Sequence, residues 1–538
     1  MRTARRISQA IFFILFLFLL VMTEYKGTDE IKYPVKVFFD LDPLVAVSTF
    51  LAAHSLPRTL LWSLVVVALT VILGRFFCAW VCPLGTLNHL LSLSRRKAGE
   101  KIRRNRYHNR QAWKYLLVVF LLAASVFGMQ LVGFFDPFSV LIRSFGLAVS
   151  PILNYLTRAV SYPLLALDWP VVTAVVEPVF SFLRAHVLSF EQPYFYQGVF
   201  IGLIFLAIAL LNRFRRRFWC RFLCPLGALL GLLSRFSLLR LVVDENKCDH
   251  CMACIKNCEG ACEPQSNESW ICSECMPCWN CVEACPTKAI SFRFKLPRRS
   301  VVKVDLGRRQ LIYSVAWAVA AVALFRIDVR KVSPSSAIGE GRESKKFNPV
   351  LIRPPGAVDE KEFLERCIKC GECMKVCIKN AIHPTLAEAG LEGVWSPYLK
   401  MQLGYCEYNC TLCGQVCPTE AIRELSLEQK QQTKIGLAFF DTNRCIPYSM
   451  GRDCIVCEEV CPTPKKAIWF EEKEVVNHEG KLVTVKQPRI DPHLCIGCGI
   501  CEYVCPLVDK PGVYVTSIGE SRSPQNQLLL DVYGAGMT

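Results

Sequence analysis

Gly307-Arg308-Arg309-Gln310-Leu311-Ile312, continuing as apolar sequence to Phe325, divides this chain into two cysteine-bearing halves, with sixteen cysteines after it and fourteen before. A paired arginine, one spacer, two large apolar residues and then a mild Ala/Val-rich segment form the pattern of a twin-arginine export signal, placed here inside the chain. That route carries folded cargo. The plainer alternative is one more membrane helix with basic flanks. Which reading holds depends on what the cysteines downstream do.

Composition sets the class. The chain has 538 residues, 52% of them hydrophobic, and a mean hydropathy of +0.30, too apolar for a single soluble body and long enough for several domains. The net charge is +17. Four short segments carry more than all of it: residues 2–6, 95–114, 213–221 and 298–309. This is the positive-inside pattern of cytoplasmic loops, and it argues against nucleic acid as a partner.

Four apolar runs precede the dividing stretch, Ile7 to Met22, Thr59 to Trp80, Trp113 to Phe135 and Tyr194 to Leu211, and each reads as a membrane crossing. Met22-Thr23-Glu24 offers no small-x-small cleavage site, so the first is expected to be retained. The loops 23–58 and 136–191 are acidic on balance and belong outside. Residues 140–190 are unusually apolar and broken by Pro151, Pro163, Pro170 and Pro178; they read as short interfacial helices, with a re-entrant hairpin as the alternative.

Within this part lies a repeat. Gly74-Arg75-Phe76-Phe77-Cys78-Ala79-Trp80-Val81-Cys82-Pro83-Leu84-Gly85 matches Arg216-Arg217-Phe218-Trp219-Cys220-Arg221-Phe222-Leu223-Cys224-Pro225-Leu226-Gly227. Three residues between cysteines place two sulfurs about one helical turn apart. Two such faces would bring Cys78, Cys82, Cys220 and Cys224 to one cofactor centre, or leave them as a dithiol pair. Small packing residues are the bland reading.

After Val243 the composition turns polar. Cys248, Cys251, Cys254, Cys258 and Cys275, Cys278, Cys281, Cys285 both follow Cys-x2-Cys-x2-Cys-x3-Cys, the bacterial two-cluster ferredoxin pattern, in which the fourth cysteine of each motif reaches to the other cube. Cys248, Cys251 and Cys254 therefore pair with Cys285, and Cys275, Cys278 and Cys281 with Cys258. Zinc would favour two-plus-two spacing. Cys262 and Cys272 are left without a role, and Glu259 stands where a proline is usual.

The second block holds four motifs: Cys367, Cys370, Cys373, Cys377; Cys406, Cys410, Cys413, Cys417; Cys445, Cys454, Cys457, Cys461; and Cys495, Cys498, Cys501, Cys505. Sixteen thiolates supply four 4Fe-4S cubes with none spare. Motif one pairs with motif two or with motif four; spacing alone does not decide. Because clusters are loaded in the reducing cytoplasm, a block carrying them outward has to travel folded. The twin-arginine reading of Arg308-Arg309 meets that need.

The membrane part with its paired Cys-x3-Cys-Pro motifs and following ferredoxin resembles the NapH/MauN-type membrane polyferredoxins. The portion from Arg308 onward, with Ile352-Arg353-Pro354-Pro355-Gly356-Ala357 before its first motif, resembles the NapG/MauM-type exported four-cluster ferredoxins. Together they cover nearly the whole chain, as a fusion would. The resemblance implies oxidation of quinol and delivery of electrons to a periplasmic reductase or cytochrome. If the chain is an enzyme, it is then a quinol dehydrogenase-type oxidoreductase subunit.

The expected fold is multidomain: an α-helical membrane domain of about five transmembrane helices with an internal repeat, plus α+β ferredoxin-like 4Fe-4S domains. The expected divisions are 1–243, a four-helix membrane domain; 244–297, a cytoplasmic two-cluster domain; 298–330, a twin-arginine-like anchor; 331–366, a linker; and 367–538, a periplasmic four-cluster domain, all held at a bacterial inner membrane. Six 4Fe-4S clusters are expected. With cubes on both sides of a hydrocarbon core about 30 Å thick, and His54, His89, His108 and His186 all flanking helices rather than inside them, the membrane quinone pool is the simplest carrier. Asp136, Glu177 and His186 in the outer loop are candidate proton acceptors. The alternative function is redox maturation or regulation, assisting cofactor assembly of a periplasmic enzyme.

Overall fold

The computed structural model describes residues 1–92, 98–296, 306–326, 348–477 and 479–523. Arg2–Met22 forms one unbroken 21-residue helix. The run read as a second crossing is interrupted: Arg58–Leu73 ends at Gly74, which takes φ +75°, a conformation without Cβ penalty only for glycine, and Phe76–Trp80 follows as a separate short helix. The third run is helical over Trp113–Val126 and leaves the helix at Gly128, φ +72°, before a 3-10 turn at Val132–Phe134. Gly198–Leu211 has 14 residues and Arg308–Phe325 has 18.

Residues 140–190 depart from the short interfacial helices expected of them. Pro137–Ala166 is a 30-residue helix and Pro170–His186 packs back on it. Pro163 and Pro178 lie inside these helices, whereas the other two prolines fit for local reasons. A π turn at Phe145–Val149 comes just before Pro151, so the missing N–H falls where the helical ladder is already shifted. Pro170 sits in the first turn of its helix, where no intrahelical donor is needed. Among the described residues, Arg2–Met22 and Pro137–Ala166 are the two helices long and apolar enough to cross a membrane by length and composition.

The helices share a buried core that includes Phe16, Phe38, Phe39, Phe77, Leu121 and Phe138, and this core extends without a break to Cys278 at one end and Cys370 at the other. The Trp113–Val126 helix sets the distance between the two cysteine blocks. Near its start Tyr115 bonds Glu274 of the first block, and just past its end Gly128 lies against Glu365 of the second. Fourteen residues rise about 21 Å. Arg308–Phe325 packs alongside this helix in the same direction: Leu306 lies in the cluster around Tyr115, and Arg326 donates to Phe127 O at 2.8 Å. It therefore runs from the end that carries the first block to the end that carries the second. Residues 298–305 and 327–330 of the expected anchor lie outside the described residues.

The first block is closed by strand Leu239–Val243 pairing antiparallel with Ile290–Phe294. In the second, Ile382–Pro384 pairs with Pro397–Leu399, Leu437–Phe440 with Val513–Thr516, and Ile468–Val476 with Leu482–Ile490, all antiparallel. Of the expected linker 331–366, residues 331–347 lie outside the described residues. The rest is built into the second block. Ile352 bridges to Leu399, and buried Arg353 bonds Glu360 and Pro397 O while lying over the Phe363 ring.

Candidate iron–sulfur sites and the helical cysteines

The second block places its cysteines in crossed sets. One cavity is lined by Cys367, Cys370 and Cys373 of motif one with Cys417 of motif two. Two others are lined by Cys495, Cys498 and Cys501 with Cys461, and by Cys445, Cys454 and Cys457 with Cys505, the last also touching Cys501. Cys413 of motif two faces Cys406 and, from motif one, Cys377. Motif one is thus brought to motif two and motif three to motif four, which settles geometrically what spacing left open. Each fourth cysteine is aimed by its own turn: Cys417 Sγ accepts the Ile422 N–H at 3.4 Å and Cys377 Sγ that of Ala381 at 3.3 Å, bonds that support thiolate ligands.

The donor chemistry fits iron–sulfur clusters. Burial pushes thiols such as Cys373 and Cys498 up, the latter to about 12, so a ring of thiolates here calls for cationic metal charge in its middle. Among the described residues no set of three or more His, Cys, Asp or Glu draws together around a single ion; the thiols surround cavities instead.

In the first block Cys281 faces Cys278, Cys275 and, from the other motif, Cys258, while Cys251 faces Cys285. Cys254 and Cys248 face one another. The two residues left over by spacing now have surroundings. Cys262 Sγ lies 3.6 Å from Cys258 Sγ, and this contact, together with Arg221, lowers Cys258 below the ordinary thiol value against burial. The Cys272 thiol donates to Ser234 O at 3.1 Å.

Cys78 and Cys82 do not share one helix. Cys78 sits in Phe76–Trp80, the chain breaks at Val81, and Cys82 caps Pro83–Leu91, its Sγ accepting the Gly85 N–H at 3.4 Å. Pro83 excludes αR backbone from the residue before it, and Cys82 is extended accordingly at ψ 117°. The second copy repeats this: Cys220 lies in Phe218–Phe222, and Cys224 caps Pro225–Leu233 with Gly227 N–H at 3.2 Å. Folding brings all four thiols into electrostatic reach of one another, fully buried.

The copies are interlocked by arginines. Arg217 of the second copy donates to Cys78 O of the first at 3.2 Å. Arg75 of the first lies against Gly227 of the second, so close that a Cβ there would meet its Nη2 at 2.8 Å. Both guanidiniums continue into the first cysteine block. Arg75 meets Glu274 at 3.6 Å and donates to Ser273 O; Arg217 meets Glu259 at 3.1 Å and Met276 Sδ at 3.3 Å. Glu259 follows Cys258 and Glu274 precedes Cys275, so both carboxylates flank one thiol ring. Burial alone would raise Glu259, but Arg216 and Arg217 hold it well below the usual carboxylate range. Trp80 Nε1 donates to Pro277 O at 2.8 Å. The Cys275–Cys281 ring is therefore joined to the four helical cysteines through Arg75, Arg217 and Trp80.

Spacing located the cysteines and overlooked the arginines and the two glutamates. The signal was available: an arginine stands three residues before the first cysteine of each copy, and Glu259 occupies a proline's place.

Two family models match the chain. One, a 4Fe-4S binding domain, covers residues 55–100 and 196–242, the two copies of the helical repeat. The other, a 4Fe-4S dicluster domain, covers 366–421 and 428–507, each match taking in two motifs as the crossed sets do. The ferredoxin-type protein NapG of Escherichia coli is 29% identical over 215 residues, 40% of this chain and 87% of NapG. The methylamine utilization ferredoxin-type protein MauM of Methylorubrum extorquens is 31% identical over 205 residues, 37% of this chain and 85% of MauM. The ferredoxin-type protein NapH of Haemophilus influenzae is 30% identical over 263 residues, 47% of this chain and 74% of NapH. No solved structure matches.

Proposed function

Because the chain belongs to the NapH and MauM ferredoxin-type families and joins both types in one iron–sulfur electron-transfer polypeptide, we propose that it is a membrane-bound conduit of quinol dehydrogenase type. It carries electrons between the quinone pool and a periplasmic redox partner. In this reading 1–243 is the membrane domain, 244–297 lies in the cytoplasm, the Arg308–Phe325 helix is the anchor, and the block from 367 lies in the periplasm. The six four-cysteine motifs would hold six 4Fe-4S clusters. Cys78, Cys82, Cys220 and Cys224 would form a further centre between the two blocks.

The observation that carries the reading is the single buried core that includes Cys278, the four helical cysteines and Cys370. Along it Phe77, next to Cys78, meets Phe138 at 6.0 Å, and Arg143 of the same helix as Phe138 donates to Lys369 O, beside Cys370. When bound, the clusters supply one-electron transfer. The chain's residues fix their spacing, exclude water, and place Arg75, Arg217 and Lys114 around the thiols, where positive charge favours an anionic centre.

Anaerobic purification with iron and sulfide counting, followed by reduction with a menaquinol or ubiquinol analogue, tests this. We expect iron for at least six cubes and quinol-dependent reduction. Iron for two cubes in total, or no reduction by either quinol, overturns it. Replacing Cys78 and Cys220 by serine is expected to abolish quinol-dependent reduction of the Cys248–Cys285 sites while their iron stays. Replacing Arg308 and Arg309 by lysine is expected to trap the second block inside, read by protease access in spheroplasts.

A further inference from the structure

Of the outer-loop acids, Glu177 is exposed, as is His186, whereas Asp136 is fully buried and has a partner that the sequence reading missed, Asp42. Each opens a helix at an Asp-Pro step. Asp42 accepts the N–H groups of Leu44 at 2.7 Å and Val45 at 3.3 Å, and Asp136 accepts that of Ser139 at 2.7 Å. The segments echo one another, Phe38-Phe39-Asp40-Leu41-Asp42-Pro43 against Phe134-Phe135-Asp136-Pro137. Folding brings both carboxyls, 0% exposed, within hydrogen-bonding reach of each other.

Asp42 Oδ2 and Asp136 Oδ1 receive no hydrogen bond from any donor among the described residues. Two adjoining carboxylates in a dry site cannot both be ionised, so their contact requires a shared proton. Burial, reinforced for Asp42 by its neighbour, pushes both groups up. Three further side chains on these segments are fully buried with unpartnered polar atoms: Thr49 on the helix that Asp42 opens, Gln130 just before the 3-10 turn that packs on that helix, and Ser139, whose hydroxyl faces Asp136. The charged group acting on Asp136 is Arg143, two turns along the helix that Asp136 itself opens, which also acts on Cys370 and donates to Gly133 O and Lys369 O. Asp40 turns elsewhere, to Thr59 and Lys36.

We propose that the Asp42–Asp136 pair is the proton-accepting site for a hydroquinone, at the end of the helical domain that carries the second cysteine block. This rests on the quinol-oxidising reading above. A hydroquinone becomes a quinone by losing two electrons and two protons. Holding one proton between two carboxyls, the pair has one negative charge and takes a single proton from a hydroquinone hydroxyl as one electron leaves to an iron–sulfur acceptor. It passes that proton to outer water, returns to its starting state, and takes the second proton as the second electron leaves. Arg143 offsets the negative charge of the pair and ends against the Cys370 loop, so proton and electron depart toward the same side.

Asp42→Asn and Asp136→Asn test the site. Asparagine accepts the same cap hydrogen bonds, and its amide donates to the surviving carboxylate, removing the need for a shared proton. In the full-length iron-loaded chain each variant is expected to lose a carboxylic-acid carbonyl component from the infrared spectrum at neutral pH. Each is also expected to slow reduction by a menaquinol analogue about a hundredfold, while reduction by dithionite, which needs no proton acceptor, stays at the wild-type rate. Wild-type quinol rates in both iron-loaded variants overturn the proposal. If the wild-type chain is itself not reduced by quinol, the conduit reading fails, and the infrared result still decides the pair: a spectrum unaltered by both substitutions overturns it. Should one variant fail to assemble, the other carries the test.

Discussion

The two faces on which cysteine blocks sit are built differently. On the first, full charges meet full charges away from water: Glu274 with Arg75 and Lys114, Glu259 with Arg217, all 0% exposed. On the second, one buried ion pair, Lys375 with Glu24, stands beside charged side chains that meet main-chain carbonyls: Lys369 Nζ donates to Gln130 O at 2.6 Å, Arg143 to Lys369 O at 2.8 Å, and Lys36 to Gln415 O. Asp29 accepts from Thr411 N and Oγ1 at 3.0 and 2.9 Å. Removing one partner from a buried pair strands an uncompensated charge, whereas a lost carbonyl bond costs the ordinary value of one hydrogen bond. The first block is thus integral to the helical domain. The second is joined by a mixture of apolar packing, carbonyl bonds and one buried ion pair.

Glu274→Gln is expected to break that contrast hardest, since it leaves Arg75 and Lys114 without a counter-charge. A loss of about 3–5 kcal/mol should appear in urea titration as early release of the Cys248–Cys285 segment to protease. A loss no larger than that of any outer-face variant would erase the distinction. Next, Lys369→Met should weaken the second block's seat by about 1–3 kcal/mol. That block should itself stay folded, because Arg353, Glu360 and Arg522 pair within it. Increased protease cutting between the blocks with unchanged iron content would show this. Asp29→Asn, at a half-buried contact, should cost about 1 kcal/mol in the same assay.

The smallest effect concerns pH. Glu259 is held below its ordinary value of 4.5, so its contribution is complete above that value and is lost only as pH falls through the lower folded-state value. Glu259 itself should not change the first block's attachment between about pH 7 and about pH 5, whereas His89, 3.0 Å from Glu259 and held below its ordinary 6.5 by burial, should weaken it slightly as pH falls below that value; protease protection across that range measures both.

Candidate cysteine sets could be drawn from the sequence because cluster ligation imposes spacing, and spacing survives in a one-dimensional string. Pairing among the four late motifs was not, since Cys417 and Cys505 reach their sets through turns whose direction no interval encodes. The membrane runs were read from hydropathy alone, which registers neither the breaks at Gly74 and Gly128 nor the continuity of Pro137–Ala166 through the contrary local signals of Pro151 and Pro163. Arg75, Arg217, Glu259 and Glu274 escaped because charges are presumed exposed until a partner is seen, and here each partner is remote in the chain. Asp42 and Asp136 share an Asp-Pro step that reads as an ordinary helix cap; only folding places the two caps together.

The Arg308–Phe325 helix changes what the second face must accomplish. A tethered body meets its seat at an effective concentration on the order of millimolar, so about 4 kcal/mol of intrinsic attraction, the free energy of a millimolar dissociation constant, is enough to keep it seated about half the time. A freely diffusing four-cluster protein would need a far tighter interface to be found there at cellular abundance. Fusion therefore lets the second block's seat be held at modest intrinsic affinity without the two parts ever separating.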